Sequence, residues 1–137
     1  YTKTMIRTGT VSDIAAVDGI NPFSGSRADE IGEQRLTVID QDGVVAGFIV
    51  ESKKGLLDRP YIEYLAVGGR YRRKGLAVAL LKAIESKHHG NRLFISTEST
   101  NNAMIGMLKN HGYVQSGEIS HANLSGADEL YFFKKIV

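Results

Sequence analysis

The sequence predicts a mixed α/β or α+β fold, in which helices pack on a sheet that has both parallel and antiparallel strands. Two strand–helix units in the second half of the chain indicate parallel connections, and hairpin patterns on either side of them indicate antiparallel ones. A length of 137 residues with 42% hydrophobic residues suits one domain with its own core. We therefore expect a single domain over residues 1–137, with residues 1–4, ahead of Met5, as an added segment.

The first third of the chain predicts a strand followed by two short helices. Residues 4–9 have strand character, and Ser12 or Asp13 can cap the helix that follows. Pro22 ends that helix, because the residue before a proline is restricted to extended backbone. Residues 27–34 predict a second, shorter helix.

A hairpin is the clearest pattern in the middle of the chain. The strand-like segments RLTVID and VVAGFIVESK flank Gln41, Asp42 and Gly43, and Asp-Gly is a preferred dipeptide in two-residue hairpin turns. Residues 55–60 predict a loop, and residues 61–67 (YIEYLAV) predict the strand after it.

The second half of the chain predicts a helix, a strand, a second helix and two closing strands. Apolar spacing from Leu76 to Ile84 predicts the first helix, which Gly90 ends. The strand is predicted over residues 93–97. The second helix is capped by one of three polar residues, Thr100, Asn101 or Asn102, and ended by Gly112. The closing antiparallel strands are predicted over residues 113–119 and 129–136.

The most informative run joins the strand YIEYLAV through GGRY to RRKGLAVALL. It places Arg72, Arg73 and Lys74 beside the first N–H groups of a helix, where exposed donors and the helix dipole bind anions. The net charge of the chain is only +2, so this basic cluster is local. It therefore suits a single anionic ligand, most simply a pyrophosphate, rather than a long polyanion.

Known phosphate motifs narrow the ligand further. The chain lacks G-x-x-x-x-G-K-[ST] and lacks G-x-G-x-x-G after a strand, which excludes a Walker-type loop and a Rossmann fingerprint. What remains is R-x-x-G-x-A at Arg72, Gly75 and Ala77. This motif resembles the acyl-CoA pyrophosphate loop of the GNAT superfamily of N-acetyltransferases. The alternative is a solvated basic turn before a surface helix.

A second segment, NNAMIGMLKNHGY, extends the resemblance over most of the chain. GNAT proteins often have an asparagine that opens a helix and a glycine–aromatic pair where that helix meets a strand. Matching Gly112-Tyr113 to that pair places Asn101 at the asparagine, which commonly binds the pantetheine arm. The chain departs from the family at Leu108, where a tyrosine thought to protonate the departing thiolate is frequent.

The resemblance implies a GNAT-like mixed, largely antiparallel central sheet of about six to seven strands with helices on both faces. It also implies an enzyme that transfers an acetyl group from acetyl-CoA to a primary amine of a small molecule or peptide, by direct attack in a ternary complex. Backbone groups of Leu65, Ala66 and Val67 would hold pantetheine and polarise the thioester carbonyl. The remaining predicted cofactor-binding residues are Arg72, Arg73, Lys74, Gly75, Leu76, Ala77 and Asn101.

Glu63 is the candidate catalytic base. It is the only carboxylate in the strand YIEYLAV, and strand alternation places it on one face with Tyr61, Leu65 and Val67. A carboxylate on an apolar, aromatic strand can become a better base, and the alternative is a pair with a neighbouring cation. Glu98 is the second choice. The general acid stays open among three tyrosines that also suit aromatic packing: Tyr64, Tyr113 and Tyr131.

Composition excludes other chemistry. The absence of cysteine rules out disulfides, thiolate metal sites and an acyl-cysteine intermediate, and four histidines without an H-x-x-x-H pair predict no metal site. No apolar run reaches transmembrane length and no signal peptide is visible, so we expect a cytoplasmic protein that does not bind membranes. Exposed sheet edges are compatible with a homodimer.

Two interpretations compete with an active enzyme. A GNAT-like domain that binds CoA without turnover is supported by Leu108. A nucleic-acid-binding domain that uses RYRRK ranks last, because one short patch is not a broad basic face. The acceptor pocket is expected at residues 20–34 and 118–130, where acidic side chains would suit a cationic amine.

Overall fold

The computed structural model describes residues 2–137, which form seven strands and four α-helices. In chain order they are β1 (Thr4–Thr8), α1 (Ile14–Ile20), α2 (Arg27–Gly32), β2 (Leu36–Gln41), β3 (Val44–Leu56), β4 (Arg59–Val67), α3 (Leu76–Glu85), β5 (Arg92–Glu98), α4 (Asn102–Asn110), β6 (Val114–Ile119) and β7 (Glu129–Lys135). Short 3₁₀ turns over Val11–Asp13 and Gly69–Tyr71 precede α1 and α3.

The sheet confirms the predicted fold class. Its strands lie in the order β1-β2-β3-β4-β5-β7-β6. Strands β4 and β5 pair in parallel, whereas β1–β2, β2–β3, β5–β7 and β6–β7 pair antiparallel. The parallel pair follows from the β4-α3-β5 connection, because a crossover helix lets consecutive strands run in the same direction. The sheet is therefore mixed and largely antiparallel.

The predicted Asp-Gly hairpin between β2 and β3 is confirmed. Asp42 and Gly43 both have positive φ angles, 54° and 84°, as the two central residues of a type I′ turn require. Glycine adopts this backbone without a steric penalty, and aspartate tolerates it better than most residues.

The loop predicted at residues 55–60 is wrong. Strand β3 continues to Leu56 and β4 already begins at Arg59, so only Leu57 and Asp58 connect them. Both have positive φ, 48° and 63°, in a second two-residue turn. Leucine is uncommon in left-handed backbone, so the sequence carries no turn pattern at this point.

Asp13, one of the two predicted caps, is the N-cap residue of α1, although its side chain makes no capping hydrogen bond. Thr10 opens the 3₁₀ turn that precedes α1. It has the extended backbone of an N-cap residue, with φ −123° and ψ 165°. Asp13, three residues later, accepts a hydrogen bond from the Thr10 N–H at 2.8 Å, which is half of a capping box. The helical turn therefore starts before the residues that the sequence favoured as caps.

The described residues divide into two compact units. Unit 1 comprises the chain up to Ser52 together with Glu63–Lys87, and unit 2 comprises Lys53–Ile62 and His88–Val137. One hydrophobic cluster of unit 1 is formed by five buried side chains from α1, β2 and β3: Val17, Leu36, Val38, Phe48 and Val50.

Unit 2 has one buried and one half-exposed sheet face along β5. Leu93, Ile95 and Thr97 are buried, whereas the alternate residues Phe94, Ser96 and Glu98 are half-exposed. The antiparallel register with β7 places Ser96 opposite Tyr131 and Glu98 opposite Glu129. Directly opposed residues share a sheet face, so the half-exposed face of unit 2 carries hydroxyl and carboxylate groups side by side.

Arg7 joins β1, the start of α1 and β2. Its guanidinium donates to both Asp13 oxygens, at 2.8 Å and 3.0 Å, and its Nε donates to Asp40 Oδ2 at 3.1 Å. Bidentate arginine–carboxylate pairs are among the stronger hydrogen-bonded contacts. The bond from Arg7 lowers the pKa of Asp13 to about 2, although partial burial of this carboxyl acts in the opposite direction.

We predict that Asp13→Asn destabilises the protein at pH 7 by roughly 1–2 kcal/mol, and that this difference vanishes as the pH falls toward 2. The sign follows from the lowered pKa of Asp13. Its stabilisation is complete above the pKa of an unfolded aspartate, about 3.9. It is lost as the folded carboxyl takes up a proton. Urea unfolding at pH 7, 4 and 2.5 measures the difference.

The matched control is Asp18→Asn, on an exposed position of α1. It should change the free energy of unfolding little at every pH. Equal losses in the two variants at pH 7 would contradict a specific role for the Arg7–Asp13 pair.

Candidate active site

Helix α3 begins at an N-terminus that no side chain caps within residues 2–137. Gly75 is the N-cap residue, and the Ala79 N–H donates back to its carbonyl at 3.0 Å. The N–H groups of Leu76, Ala77 and Val78 come before that first helical bond and have no acceptor within the helix. Three donors at the positive end of the helix dipole are the local geometry that binds an anion.

Three exposed cations lie directly before this helix end: Arg72, Arg73 and Lys74. Arg72 Nε donates to the Val67 carbonyl at 3.4 Å, and Lys74 Nζ lies 5.8 Å from the centroid of the Tyr71 ring. Neither contact neutralises charge, and no carboxylate of the described chain forms an ion pair with these three residues. Their positive charge is therefore available to a ligand.

The backbone conformation at position 75 favours glycine, whereas the space around this residue would admit a side chain. Its φ is +76°, a left-handed conformation, whereas a Cβ built on it would meet nothing within 4 Å. The region in front of the helix is thus open at this residue. The preceding turn also places Arg73 in left-handed backbone, with φ 63°.

The end of β4 is anchored against β3 just before the basic turn. A Cβ on Gly47 would lie 3.0 Å from the Ala66 carbonyl oxygen, so only glycine allows this approach of the two backbones. The Gly68 N–H donates to the Ala46 carbonyl at 2.8 Å. Leu65 is buried, whereas Ala66 and Val67 are half-exposed.

The alternation of buried and half-exposed residues along β4 is interrupted after Glu63. Ile62 is buried between the half-exposed Tyr61 and Glu63, as alternation predicts, but the next buried residue is Leu65 rather than Tyr64. Leu65 therefore does not share the exposure of Tyr61 and Glu63, although the sequence placed all three on one face.

Glu63 pairs with a cation, the alternative that the sequence left open. Arg35 Nη1 makes a close hydrogen bond to Glu63 Oε1 and a second one, of 3.1 Å, to the Glu51 carbonyl. Glu33 holds the other side of the same guanidinium at 3.1 Å and 3.2 Å. Burial acts to lower the pKa of Arg35, but the hydrogen bond to Glu33 and the charge of Glu63 outweigh it, so this pKa is raised.

The Glu63 side chain is 31% exposed, and its Oε2 accepts no hydrogen bond from residues 2–137. One carboxylate oxygen is therefore open to substrate or water. Taking up a proton at Glu63 would nevertheless break its ion pair with Arg35.

Asn101 caps helix α4, as one of the three predicted candidates. Its Oδ1 accepts a hydrogen bond from the Met104 N–H at 3.2 Å, and the residue is exposed. The amide NH₂ group of the same side chain remains a donor. A cap and a ligand contact are therefore compatible at Asn101, and the ligand contact stays a prediction.

The acetyltransferase (GNAT) family profile matches residues 13–113. The chain belongs to this family. The matched region is well over half of the chain and contains Glu63, the basic turn and Asn101. The predicted family is thereby confirmed, whereas the individual site residues remain predictions.

Relatives of the chain include an N-alpha-acetyltransferase. N-alpha-acetyltransferase 30 from Xenopus laevis is 33% identical over 84 residues, which are 59% of this chain and 31% of that protein. The chain thus spans less than a third of the length of this curated relative.

Solved structures show the same fold. Ard1 from Thermoplasma volcanium has a TM-score of 0.84 at 22% identity and covers 98% of both chains. A chain of the NatC complex bound to Gag peptide and CoA has a TM-score of 0.80 at 15% identity, with 98% of this chain and 99% of that chain covered. At these identities the likeness concerns the fold alone.

Leu108 occupies the position where many GNAT proteins have a tyrosine as general acid. It is fully buried in α4 and cannot give a proton. Of the three tyrosines that the sequence left open, Tyr113 is only 3% exposed. Tyr64 stacks on Phe23 at 4.7 Å between ring centroids, and Tyr131 stacks on Tyr61 at 6.3 Å. Aromatic packing accounts for the last two positions without a role in catalysis.

In the acceptor segment predicted at residues 20–34, the acidic residue Glu30 is held in a buried ion pair. Glu30 and Arg27 are 3% and 5% exposed, and Arg27 Nη2 donates to Glu30 Oε2 at 2.7 Å. The Arg27 guanidinium also lies 4.9 Å from the centroid of the Tyr64 ring, so the pair ties α2 to β4. Glu30 therefore acts in packing this segment and is not available to a cationic acceptor.

Sequence reasoning missed a hydrogen-bonded chain in unit 2. Tyr61 Oη lies 2.6 Å from Ser96 Oγ, which donates to Glu129 Oε2 at 2.7 Å, and Asn123 donates to Glu129 Oε1 at 3.1 Å. The polar residues at alternate positions of FISTE were the only hint in the sequence. Their partners depend on the pairing of β5 with β7, which a single sequence does not reveal.

Metal-binding side chains do not gather in groups of three or more anywhere in residues 2–137. Within the same range, none of the helices combines the length and the apolar character needed to cross a bilayer.

We predict that Gly75→Glu weakens acetyl-CoA binding at least tenfold, because it adds a negative charge in front of the α3 N-terminus where the pyrophosphate is expected. The added side chain meets open space, and the strain of a left-handed backbone costs only about 1–2 kcal/mol, so the fold should survive. Isothermal titration measures the dissociation constant. Gly75→Gln is the matched control, since it bears the same backbone strain without the charge, and equal affinities for the Glu and Gln variants would contradict an anion site here.

A pair of substitutions separates the two roles of Asn101. Asn101→Ala removes the cap and should lower the stability by about 1 kcal/mol, whereas Asn101→Asp keeps the capping oxygen. Both remove the amide donor, so both should weaken acetyl-CoA binding if Asn101 holds the pantetheine arm. Loss of stability in the alanine variant with wild-type affinity in both would leave Asn101 as a cap only.

Proposed function

We propose that this acetyltransferase moves the acetyl group of acetyl-CoA to a primary amine of a peptide or small molecule, by direct attack in a ternary complex. The supporting observation is the open N-terminus of α3 with three cations that form no ion pair, in a chain of the GNAT family. A pyrophosphate needs both donors and positive charge. Because one family match runs through both compact units, we also propose that residues 1–137 form one catalytic domain.

The proposed cofactor contacts follow the family resemblance. The pyrophosphate would bind the N–H groups of Leu76 and Ala77 and the side chains of the basic turn. Backbone groups from Leu65 to Val67 would hold the pantetheine and polarise the thioester carbonyl, which is where charge develops during attack. Asn101 would donate to the pantetheine arm.

Departure of the CoA thiolate depends only weakly on a general acid. A thiol has a pKa of about 8.5, so a thiolate leaves acceptably near neutral pH, and the loss of a tyrosine at Leu108 does not prevent turnover. The acceptor ammonium, in contrast, must lose a proton before its nitrogen can attack. Glu63 is the base that the sequence predicts for this step, directly or through water.

A peptide α-amine is the acceptor class that we favour. The Xenopus relative is by name an N-alpha-acetyltransferase, and the NatC structure holds a peptide beside CoA. An α-amine has a pKa near 7.7–8.0, against about 10.4 for lysine, so a base near neutral pH removes its proton far more easily.

Two measurements test this proposal. Acetyl-CoA and CoA, but not ATP, should raise the unfolding temperature, because a ligand that binds only the folded state stabilises it by about 2.7 kcal/mol at a hundredfold excess over its Kd. Thiol release should then depend on tetrapeptides with a free N-terminus and should be absent with the same peptides N-acetylated. Binding without thiol release from any peptide, lysine or polyamine would favour the alternative of a CoA-binding module that does not turn over.

A further inference from the structure

Three side chains of unit 2 form a continuous hydrogen-bonded chain across three neighbouring strands. Tyr61 on β4 has its Oη 2.6 Å from Oγ of Ser96 on β5, and Ser96 Oγ lies 2.7 Å from Oε2 of Glu129 on β7. All three side chains are half-exposed. This row of hydrogen bonds therefore lies along the half-exposed face of this part of the sheet and not in its core.

The two hydrogen bonds between Tyr61, Ser96 and Glu129 are donated in the same direction. The Glu129 carboxylate has no hydrogen to give, so the single Ser96 hydrogen goes to Glu129 and the Ser96 oxygen accepts from Tyr61. The Tyr61 oxygen is then left with lone pairs for a further donor. Burial raises the pKa of Tyr61 above its usual value of 10.0, although the bond to Ser96 opposes this, so the phenol is neutral at pH 7.

Glu129 has neutral hydrogen-bond partners. Asn123 Nδ2 donates to its Oε1 at 3.1 Å, and among residues 2–137 no cation forms an ion pair with it. The facing groups are Tyr131 on β7 and Glu98 on β5, and Glu98 is held by Ser125 at 2.8 Å. Glu129 can therefore take up a proton without breaking an ion pair, and two carboxylates on this face attract an ammonium.

We propose that Tyr61, Ser96 and Glu129 are a proton relay that deprotonates the acceptor ammonium. Tyr61 is the catalytic residue that contacts the amine, and Ser96 and Glu129 act through it. This inference rests on the proposed function, since it names the groups that take the proton in that reaction.

The transfer balances at every atom. The ammonium gives a proton to Tyr61 Oη, Tyr61 gives its own to Ser96 Oγ, and Ser96 gives its own to Glu129 Oε2. Both hydroxyls end neutral and Glu129 ends protonated. The nitrogen lone pair forms the new C–N bond to the acetyl carbon, and the C–S electron pair leaves on the CoA sulfur. The second N–H proton neutralises that thiolate, and Glu129 later releases its proton to water.

Glu63 offers a less suitable end point for the same proton. Its carboxylate is held by Arg35, so protonation there would separate an ion pair at a partly buried site. The relay ends instead on a carboxylate whose bonds to Ser96 and Asn123 come from neutral groups.

The test compares Tyr61→Phe, Ser96→Ala and Glu129→Gln with the wild type, using the free-amine tetrapeptide that gives the highest kcat/KM. Each variant should lose about 10²-fold in kcat at pH 7, within the usual range for general base catalysis. The Kd of acetyl-CoA and the unfolding temperature should stay close to wild type. Ser96→Thr should recover most of the activity because it restores the hydroxyl, and Ser116→Ala, which removes an exposed hydroxyl on β6, is the matched control.

The pH profile separates a relay from a structural role. Above about pH 9 an α-amine is already neutral and needs no base, so the deficit of the three variants should shrink to a few-fold. A deficit that is constant with pH, or a rise in peptide KM with unchanged kcat, would overturn the relay in favour of a structural or binding role.

Three further results would also overturn it. Wild-type kcat in Glu129→Gln, with a pH-dependent deficit in Glu63→Gln, would assign the proton to Glu63. A wild-type protein that releases no thiol with any amine would refute the proposed function, and the relay with it. Activity in the wild type together with unaffected relay variants would refute the relay alone.

Discussion

Charged side chains that this fold removes from water need ion-pair or hydrogen-bond partners. The local structure and the chemistry of the protein both depend on which partner each of these side chains has. A buried charge without a partner is far more costly than a lost hydrogen bond. Asp13 and Asp40 form ion pairs with Arg7, and Glu30 forms an ion pair with Arg27. These pairs hold the end of β1 beside the start of α1 and hold α2 on β4, so they add fixed polar contacts to the apolar core of unit 1.

The type of partner also decides which carboxylates are available for catalysis. Glu63 is held by a guanidinium, so a proton added there must displace an ion pair. Glu129 is held by a hydroxyl and an amide, which can stay in place when its charge changes. Burial or position in a strand did not distinguish these two residues. The distinction comes from the charge of the donor, which favours Glu129 over Glu63 as the end point of the proposed relay.

The parts that were predictable from sequence are those set by neighbours along the chain. The basic turn, the uncapped start of α3 at Gly75 and the Asp42-Gly43 hairpin follow from local backbone preferences, which need no tertiary partner. The turn at Leu57-Asp58 was not predicted, because leucine does not favour left-handed backbone. The pairing of β3 with β4 imposes that conformation.

The sequence by itself determined the fold class, the family resemblance and the helix start that is predicted to bind an anion, because each rests on motifs and periodic patterns that span about a dozen residues at a time. Only the tertiary structure decided which groups meet across the sheet. It joined Arg35 to Glu63, 28 residues apart, and Ser96 to Glu129, 33 residues apart. Such contacts depend on strand order and register, and a shift of one residue would turn every side chain to the opposite face.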